Sequence, residues 1–272
     1  MIKSILILGS GTSTGVPVLG CNCKVCISDH PKNKRTRSSI LIQTNKNKHI
    51  LVDTGPDLRL QLLREKIQHI DEVILTHEHA DHLHGIDDLR PLTYFQKTSI
   101  NVHTRKAIIP ELKTKFPYIF DRTNYFKTQK VIGGGVPLLS LIPVSLKKAY
   151  SLLGENFYFV SMPHGTGRTL GIIHKKFAYF IDNHMIPQWA IDKCKQLKIE
   201  TLIIDCVKYT PHKTHLHFDK SISYIEQIKP KNAYLTHLGD QFNYPQLVKE
   251  LKKFKFSSIK PAHDGLRIKF SV

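Results

Sequence analysis

The stretch "VILTHEHADHLHG", residues 73–85, decides how this chain is read. A β-branched run ends in four side chains able to bind metal: His77, His79, Asp81 and His82. A structural zinc closes its shell with about four ligands, whereas H-x-H-x-D-H is able to feed two ions. A strand fixes the base of such a loop, so its ligands need little ordering when an ion binds. The competing reading is a solvated histidine-rich turn, and 16 histidines make some chance clustering expected. The placement at a strand end, beside a second strand end "LVDTG" (51–55), argues against chance.

Outward from this stretch, the composition is that of a globular protein. Of 272 residues, 41% are hydrophobic and 23% charged, enough to bury a core. No apolar run approaches a membrane span. The first residues, "MIKSILILGSG", read as a buried strand rather than an export signal, so the expected compartment is the cytoplasm. Cysteines there are thiols or metal ligands rather than disulfides.

Short runs rich in Ile, Val and Leu recur at 4–8, 38–44, 49–54, 72–76, 138–144, 157–162, 170–174, 177–182, 201–206, 232–237 and 265–270. They read as strands, several buried on both faces. Helical patterns fall at 57–67, 105–115, 187–197, 218–228 and 245–254, with Pro187 and Pro245 at first-turn positions. This α/β pattern predicts sheets packed together and covered by helices. No linker divides the chain, so residues 1–272 are expected to form one domain. "IGGGVP" (132–137) reads as a loop or turn.

"THEHADH" together with "LVDTG" resembles the metallo-β-lactamase fold superfamily of dinuclear hydrolases, and the later motifs follow in order. "MPHGTGRTLG" supplies His164, "YFIDN" supplies Asp182, and "YLTHLG" supplies His237. The resemblance implies an αββα sandwich of two mixed sheets flanked by helices. It implies two divalent active-site ions, zinc or manganese. One is taken by His77, His79 and His164, the other by Asp81, His82 and His237, with Asp182 bridging. Two such ions share a hydroxide and clamp the attacked group, and Asp81 counts among the catalytic residues. Asp53 is expected either to orient a ligand histidine or to serve as a turn or N-cap residue. The redox di-iron relatives carry Glu at the position of His79, so His79 favours hydrolysis.

Further stretches narrow the branch: "GSGTSTGVPVLGCNCKVC" (9–26), "RTRSSILI" (35–42), "GIDDLRPL" (85–92) and "PHKTHLHFDKSISYI" (211–225). Together they are similar to the PhnP-type phosphodiesterases, which open a five-membered cyclic phosphate on phosphoribose. The resemblance assigns His215 as the acid that protonates the leaving oxygen, a need imposed by expelling an alkoxide. His212 and His217 read as surface histidines. Arg90 and Asp88 are substrate-binding candidates, the guanidinium for a phosphate; the alternative is an internal Asp–Arg salt bridge. Arg168 and His184 are weaker candidates. Asp205 and Asp264 are expected to tie loops by hydrogen bonds. The glycines of "LGSGTSTG" lack the following G-K-[ST] of a nucleotide P-loop.

Five cysteines remain to be placed. Cys194 and Cys206 read as buried apolar residues. Cys21, Cys23 and Cys26 form C-x-C-x-x-C, three thiolates for one structural zinc in a loop at about 20–30. In the resembling family the fourth ligand is a His three residues after the last active-site His; here that position holds Asp240. Asp240 is the expected fourth ligand, with His30, His263, water or an empty site as alternatives.

The net charge of +18 admits a polyanionic partner. The basic runs at 32–37 and 252–256 lack the aromatic interleaving of a stacking platform, so nucleic acid is not favoured over a small phosphorylated substrate. No membrane partner is expected, and a homodimer is compatible with the sequence. The leading reading is a metal-dependent phosphodiesterase for a small cyclic phosphate. The competing ones are a nuclease or tRNA-processing relative, a hydrolase of thioester or carboxylic substrates, and a non-catalytic metal-binding protein. The presence of every expected ligand argues against the last.

Overall fold

The computed structural model of the chain describes residues 1–128 and 135–271. Its strands are β1 (Ile2–Gly9), β2 (Ser39–Thr44), β3 (His49–Val52), β4 (Glu72–Ile74), β5 (Ile100–Thr104), β6 (Leu139–Pro143), β7 (Ala149–Leu152), β8 (Glu155–His164), β9 (Gly167–His174), β10 (Phe177–Phe180), β11 (Thr201–Asp205), β12 (Asn232–Thr236), β13 (Ser258–Pro261) and β14 (Arg267–Lys269). Its helices are α1 (Leu58–Arg64), α2 (Ala80–Leu83), α3 (Arg90–Gln96), α4 (Ile109–Lys115), α5 (Pro117–Phe120), α6 (Arg122–Thr128), α7 (Gln188–Leu197), α8 (Phe218–Ile228) and α9 (Tyr244–Leu251).

The strands form two seven-stranded mixed sheets, ordered β14-β1-β2-β3-β4-β5-β6 and β13-β12-β11-β10-β9-β8-β7. The sheets are built alike. β14, β1, β2 and β3 pair antiparallel, then β3 to β6 run parallel. Likewise β7 to β10 pair antiparallel, then β10 to β13 run parallel.

Side-chain alternation creates the layers. Along β1, β2 and β3, Ile5, Ile7, Ile40, Ile42, Ile50 and Val52 face the second sheet, where they meet Phe157, Phe159, Leu170, Ile172, Phe177 and Tyr179. The intervening Leu6, Leu8, Leu41 and Leu51 turn the other way, onto Leu58 and Leu62 of α1 and Leu112 of α4. On the far sheet, Leu202, Ile204, Ala233 and Leu235 pack under the stripe Phe218, Ile222 and Ile225 of α8 and Leu247 of α9. Period-2 strands therefore feed three core layers, which is the αββα sandwich. Each fully buried aliphatic side chain contributes about 1.5–3 kcal/mol.

The strand runs expected from sequence are strands here, and three more appear: β5, β7 and β13. β7 and β13 are sheet edges. β5 is internal but carries Asn101 and His103, both bonded to Glu72, which breaks its apolar signal. The helical pattern at 105–115 is helical only from Ile109, after a single 3-10 turn. The loop expected at 132–137 lies outside the described residues as far as 134; from Gly135 it has no regular structure. Among the described residues, no helix is long and apolar enough to cross a membrane.

Candidate metal centre

The parallel strands end on one rim of the sandwich, and their C-terminal ends carry the polar residues singled out above. β3 leads into Asp53, β4 into Thr76 and His77, β10 into Asp182, β11 ends at Asp205, and β12 leads into His237. Asp53, Asp182 and His237 adopt left-handed backbone with φ of 66°, 52° and 59°. Such a conformation is rare for residues with a Cβ and clusters at functional sites. Here it stops each strand and leaves the side chain in the gap between the sheets. The loops are drawn together by glycines: a Cβ on Gly85 would lie 2.1 Å from the Gly55 carbonyl oxygen, and one on Gly55 would lie 2.1 Å from that of Asp81.

Each inner imidazole is fixed by a hydrogen bond at Nδ1. His77 Nδ1 bonds Thr76 Oγ1 at 3.0 Å, and that hydroxyl donates to Asp53. His82 Nδ1 bonds Asp53 Oδ2 at 2.7 Å. His164 Nδ1 bonds the Thr214 carbonyl at 3.0 Å. His237 Nδ1 bonds Ser38 Oγ at 3.2 Å, and Ser38 donates to the Gly11 carbonyl. These partners direct Nε2 of all four rings inward. His79 turns the other way round, its Nδ1 lying 3.1 Å from His164 Nε2. Metal-ligating histidines are held by outer partners in this manner.

The acceptors meet in the middle. Asp182 Oδ2 is 3.0 Å from His82 Nε2, and its Oδ1 is 3.5 Å from His237 Nε2 and 3.9 Å from His164 Nε2. Asp81 Oδ2 is 3.1 Å from His82 Nε2. Burial pushes His77, His164 and His237 below the usual imidazole range, toward the neutral ligand form. Burial pulls His82 the same way, but the Asp182 and Asp53 carboxylates outweigh it and hold His82 well above that range. Asp182 sits well below the carboxylate range despite its burial, because His237 and His82 surround it.

The residues fit divalent metal. His77 Nε2, His82 Nε2, His237 Nε2 and Asp182 Oδ2 are all buried and none makes a well-aligned hydrogen bond, the 3.0 Å approach of His82 Nε2 to Asp182 Oδ2 included. Nitrogen and carboxylate donors left bare at one point are what zinc, manganese or iron satisfies.

His215, in the loop before α8, stacks on His237 with ring centroids 4.9 Å apart. Its Nδ1 is 3.1 Å from Asp205 Oδ2 and 3.6 Å from Asp182 Oδ1. Burial pushes its imidazole down, but the Asp205 and then the Asp182 carboxylates outweigh that and raise it to about 9. Asp205 ties loops as expected, accepting from His215 in the loop before α8 and from the Asn183 amide after β10. Asp264 does the same, accepting from Ser10, Thr36 and Arg64.

A cleft of about 520 Å³ opens over the centre. Its walls are His79, Asp81, His164, Asp182 and His215, together with Ser13, Glu78, Thr166 and Thr214. Arg90 and Asp88 do not line it, which corrects the expectation for both. Arg90 lines a separate apolar groove with Tyr94, Phe95 and Leu138, and it donates to the Gly135 carbonyl. Asp88 lies near Arg59 and Asp87, as well as Arg90. Arg168 is pinned on Ser161.

The cysteine loop converges separately. Cys21 Sγ and Cys23 Sγ lie 3.6 Å and 3.8 Å from Asp240 Oδ2, and Cys26 completes the group. His30 instead caps its own turn and stacks on Tyr244, and His263 bonds the Asp264 carbonyl. Burial pushes the Cys26 thiol up to about 11. The loop is joined to the His237 segment by Arg35, which is 2% exposed and donates to the carbonyls of Gly239 at 3.2 Å and Phe242 at 2.6 Å. Leu238 N also bonds the Ser10 carbonyl. Cys194 and Cys206 are buried, as expected.

Sequence reasoning passed over Ser38, Thr76, Thr214, Glu78 and the Asp205 partnership. The last had a signal: "IIDC" ends its strand as "FIDN" does one strand away.

Residues 48–238 match the family described as a beta-lactamase superfamily domain. The chain is 32% identical to a crystal structure of a new diphosphatase from the PhnP family, covering 99% of this chain and 98% of that one, with a TM-score of 0.86. It is 32% identical over 262 residues to the octanoyltransferase of Porphyromonas gingivalis, covering 96% of this chain. It spans 50% of the length of that curated relative. The zinc-bound PqqB structure from Methylobacterium extorquens shares the fold at 18% identity, covering 98% of this chain and 100% of that one, with a TM-score of 0.76.

Proposed function

The chain belongs to the PhnP family of the beta-lactamase superfamily, the metallo-β-lactamase-fold hydrolases, and from that premise we propose that it is a metal-dependent phosphodiesterase opening a small cyclic phosphate. The observation that carries this is His215, which lines the same cleft at the edge of the ligand cluster and is held there by the buried Asp205. A thioester expels a thiolate that leaves without a proton, whereas a phosphodiester with an alkoxide leaving group needs a proton donor.

His77, His79 and His164 would hold one divalent ion, and Asp81, His82 and His237 a second, with Asp182 shared between them. Such ions, when bound, supply Lewis-acid charge to the phosphoryl oxygens and acidify water. The remaining chemistry belongs to the chain. Asp205 accepts the hydrogen bond from His215 Nδ1–H, so Nε2–H is the proton left to give. As the new P–O bond to water forms, that water releases a proton to solvent, from which His215 is later reprotonated; the P–O bond to the ring oxygen breaks and its electron pair stays on that oxygen. His215 Nε2 gives its proton there. The Ser13, Thr166 and Thr214 hydroxyls offer the small polar contacts that orient a compact substrate. The diphosphatase relative also points to phosphorus chemistry; the octanoyltransferase name belongs to a chain twice as long and is not carried over.

The Cys21–Cys23–Cys26–Asp240 group supports a structural zinc rather than a third catalytic ion, because it is separate from the cleft lining.

The test is turnover of bis(p-nitrophenyl) phosphate and of 2′,3′-cyclic nucleotides with Zn²⁺ or Mn²⁺. His215→Ala is expected to lower kcat on the alkoxide-leaving cyclic substrates by about 10²–10⁴-fold. The loss on the p-nitrophenyl diester, whose leaving group needs no proton, is expected to be far smaller. Protein shown to hold both ions yet inert toward every diester would sink the reading.

A further inference from the structure

The cleft walls bear on the part of the substrate that does not react. Glu78 stands between the ligands His77 and His79 and lines the cleft. Its Oε2 is buried with no hydrogen-bond partner, 3.7 Å from the Arg105 guanidinium. Its Oε1 looks toward the backbone of Gly167 at the tip of the β8–β9 hairpin, where a Cβ would sit 3.9 Å away. Arg105 is itself buried and donates to the Arg168 carbonyl, so it holds Glu78 from behind rather than entering the cleft.

The cations around the rim are held in the same way. Arg37 pairs with Asp57 through both carboxylate oxygens, at 3.0 and 3.1 Å, and donates to the Ser13 carbonyl. Arg168 donates twice to Ser161. Lys115 pairs with Glu111 at 2.8 Å and donates to the Glu78 carbonyl. Lys213 neighbours Thr214 in the chain and is exposed. Among the described residues, no lysine or arginine lines the cleft.

Besides Asp81 and Asp182, which belong to the ligand cluster, the cleft wall carries Ser13, Thr166 and Thr214 and the Glu78 carboxylate, a surface that receives a hydroxyl and disfavours a second anion beside Glu78. A carboxylate accepts hydrogen bonds and offers none. A site built to bond a hydroxyl rejects the analogue lacking it, and a like charge facing the ligand adds the repulsive half of specificity. Resting on the phosphodiesterase reading above, we propose that Glu78 determines specificity by accepting a hydrogen bond from a hydroxyl on the substrate's non-reacting part. The substrate class is then a cyclic phosphodiester with a free hydroxyl and no second phosphate, of the kind a nucleoside 2′,3′-cyclic monophosphate represents.

The experiment compares adenosine 2′,3′-cyclic monophosphate, its 5′-deoxy analogue and its 5′-phosphorylated form, with bis(p-nitrophenyl) phosphate as the reference. Metal-loaded wild type is expected to show kcat/KM about tenfold or more in favour of the free hydroxyl over either alternative. Glu78→Ala removes that preference, its loss on the hydroxyl substrate exceeding its loss on the reference by about tenfold. The isosteric Glu78→Gln relieves the discrimination against the 5′-phosphate, while Lys213→Ala leaves the ranking in place. An equal loss on all substrates would make Glu78 merely structural, and a wild-type preference for the 5′-phosphorylated substrate would overturn the proposal. If wild type turns over no diester, the phosphodiesterase reading fails instead. Calorimetric binding of adenosine 3′-monophosphate to wild type and Glu78→Ala then reads the hydroxyl contact by itself, equal affinities counting against it.

Discussion

Asp53 is fully buried and accepts hydrogen bonds from the Thr76 amide and hydroxyl and from His82 Nδ1. Through them it orients the His82 ring directly and the His77 ring by way of Thr76. Asp53→Ala is therefore expected to weaken metal binding about 10–100-fold, read by competition with a chelating dye. Unchanged affinity would mean that packing alone sets those rings. Asp205 plays the corresponding part for His215. With Asp205 present the imidazole is raised to about 9, so the protonated acid persists through neutral pH and is lost as pH climbs past that value. Asp205→Asn removes the leading carboxylate, and the alkaline limb of kcat for a cyclic substrate should move to lower pH. A limb that stays in place would assign it to another group. Asp53 was open to a sequence reading because "LVDTG" ends the strand beside the histidine motif. Asp205 was legible as a strand end but not by its partner, which sits in a loop that also holds His212 and His217, where spacing does not choose among three imidazoles.

At the level of elements, the cysteine loop and the turn after β12 form one unit. Asp240 lies three residues beyond the ligand His237, and Arg35 bonds the carbonyls on either side of that turn. Asp240→Ala should lower the third ion's affinity while Asp240→His retains it, as measured by elemental analysis after dialysis. Equal retention in both variants would exclude the carboxylate as a ligand. The Cys26 thiol, raised to about 11, must shed its proton to bind an ion. Ion uptake by this loop should thus release protons, and its affinity should fall as pH is lowered, checked by calorimetry in buffers of different ionisation enthalpy. The C-x-C-x-x-C spacing announced three donors. The fourth was legible only as an offset from His237, because the approach of the two segments depends on β1 and β12 ending at the same rim.

At the level of the molecule, the centre is assembled from both sheets. Asp53, His77, His79, Asp81 and His82 follow strands of the first, and His164, Asp182 and His237 follow strands of the second. Ions held between them would stabilise the sandwich by mass action, about 4 kcal/mol when free metal exceeds its Kd a thousandfold. Dialysis against a chelator should lower the melting temperature by roughly 10 °C, and added Zn²⁺ should restore it. A calorimetric melt indifferent to metal would place the ligands outside the cooperative core. The sequence by itself determined the layered architecture and the histidines and aspartates that converge at one rim. Both are written in short-range patterns: period-2 apolar runs that must bury two faces, and polar residues crowded where those runs stop. The tertiary structure alone decided which groups hold those side chains and which line the cleft. Ser38 reaches His237 across 199 residues, Glu78 is backed by Arg105, and Arg90, adjacent in sequence to the metal motif, turns into another groove. Such pairings depend on how two sheets stack, and no local spacing encodes the distance between them.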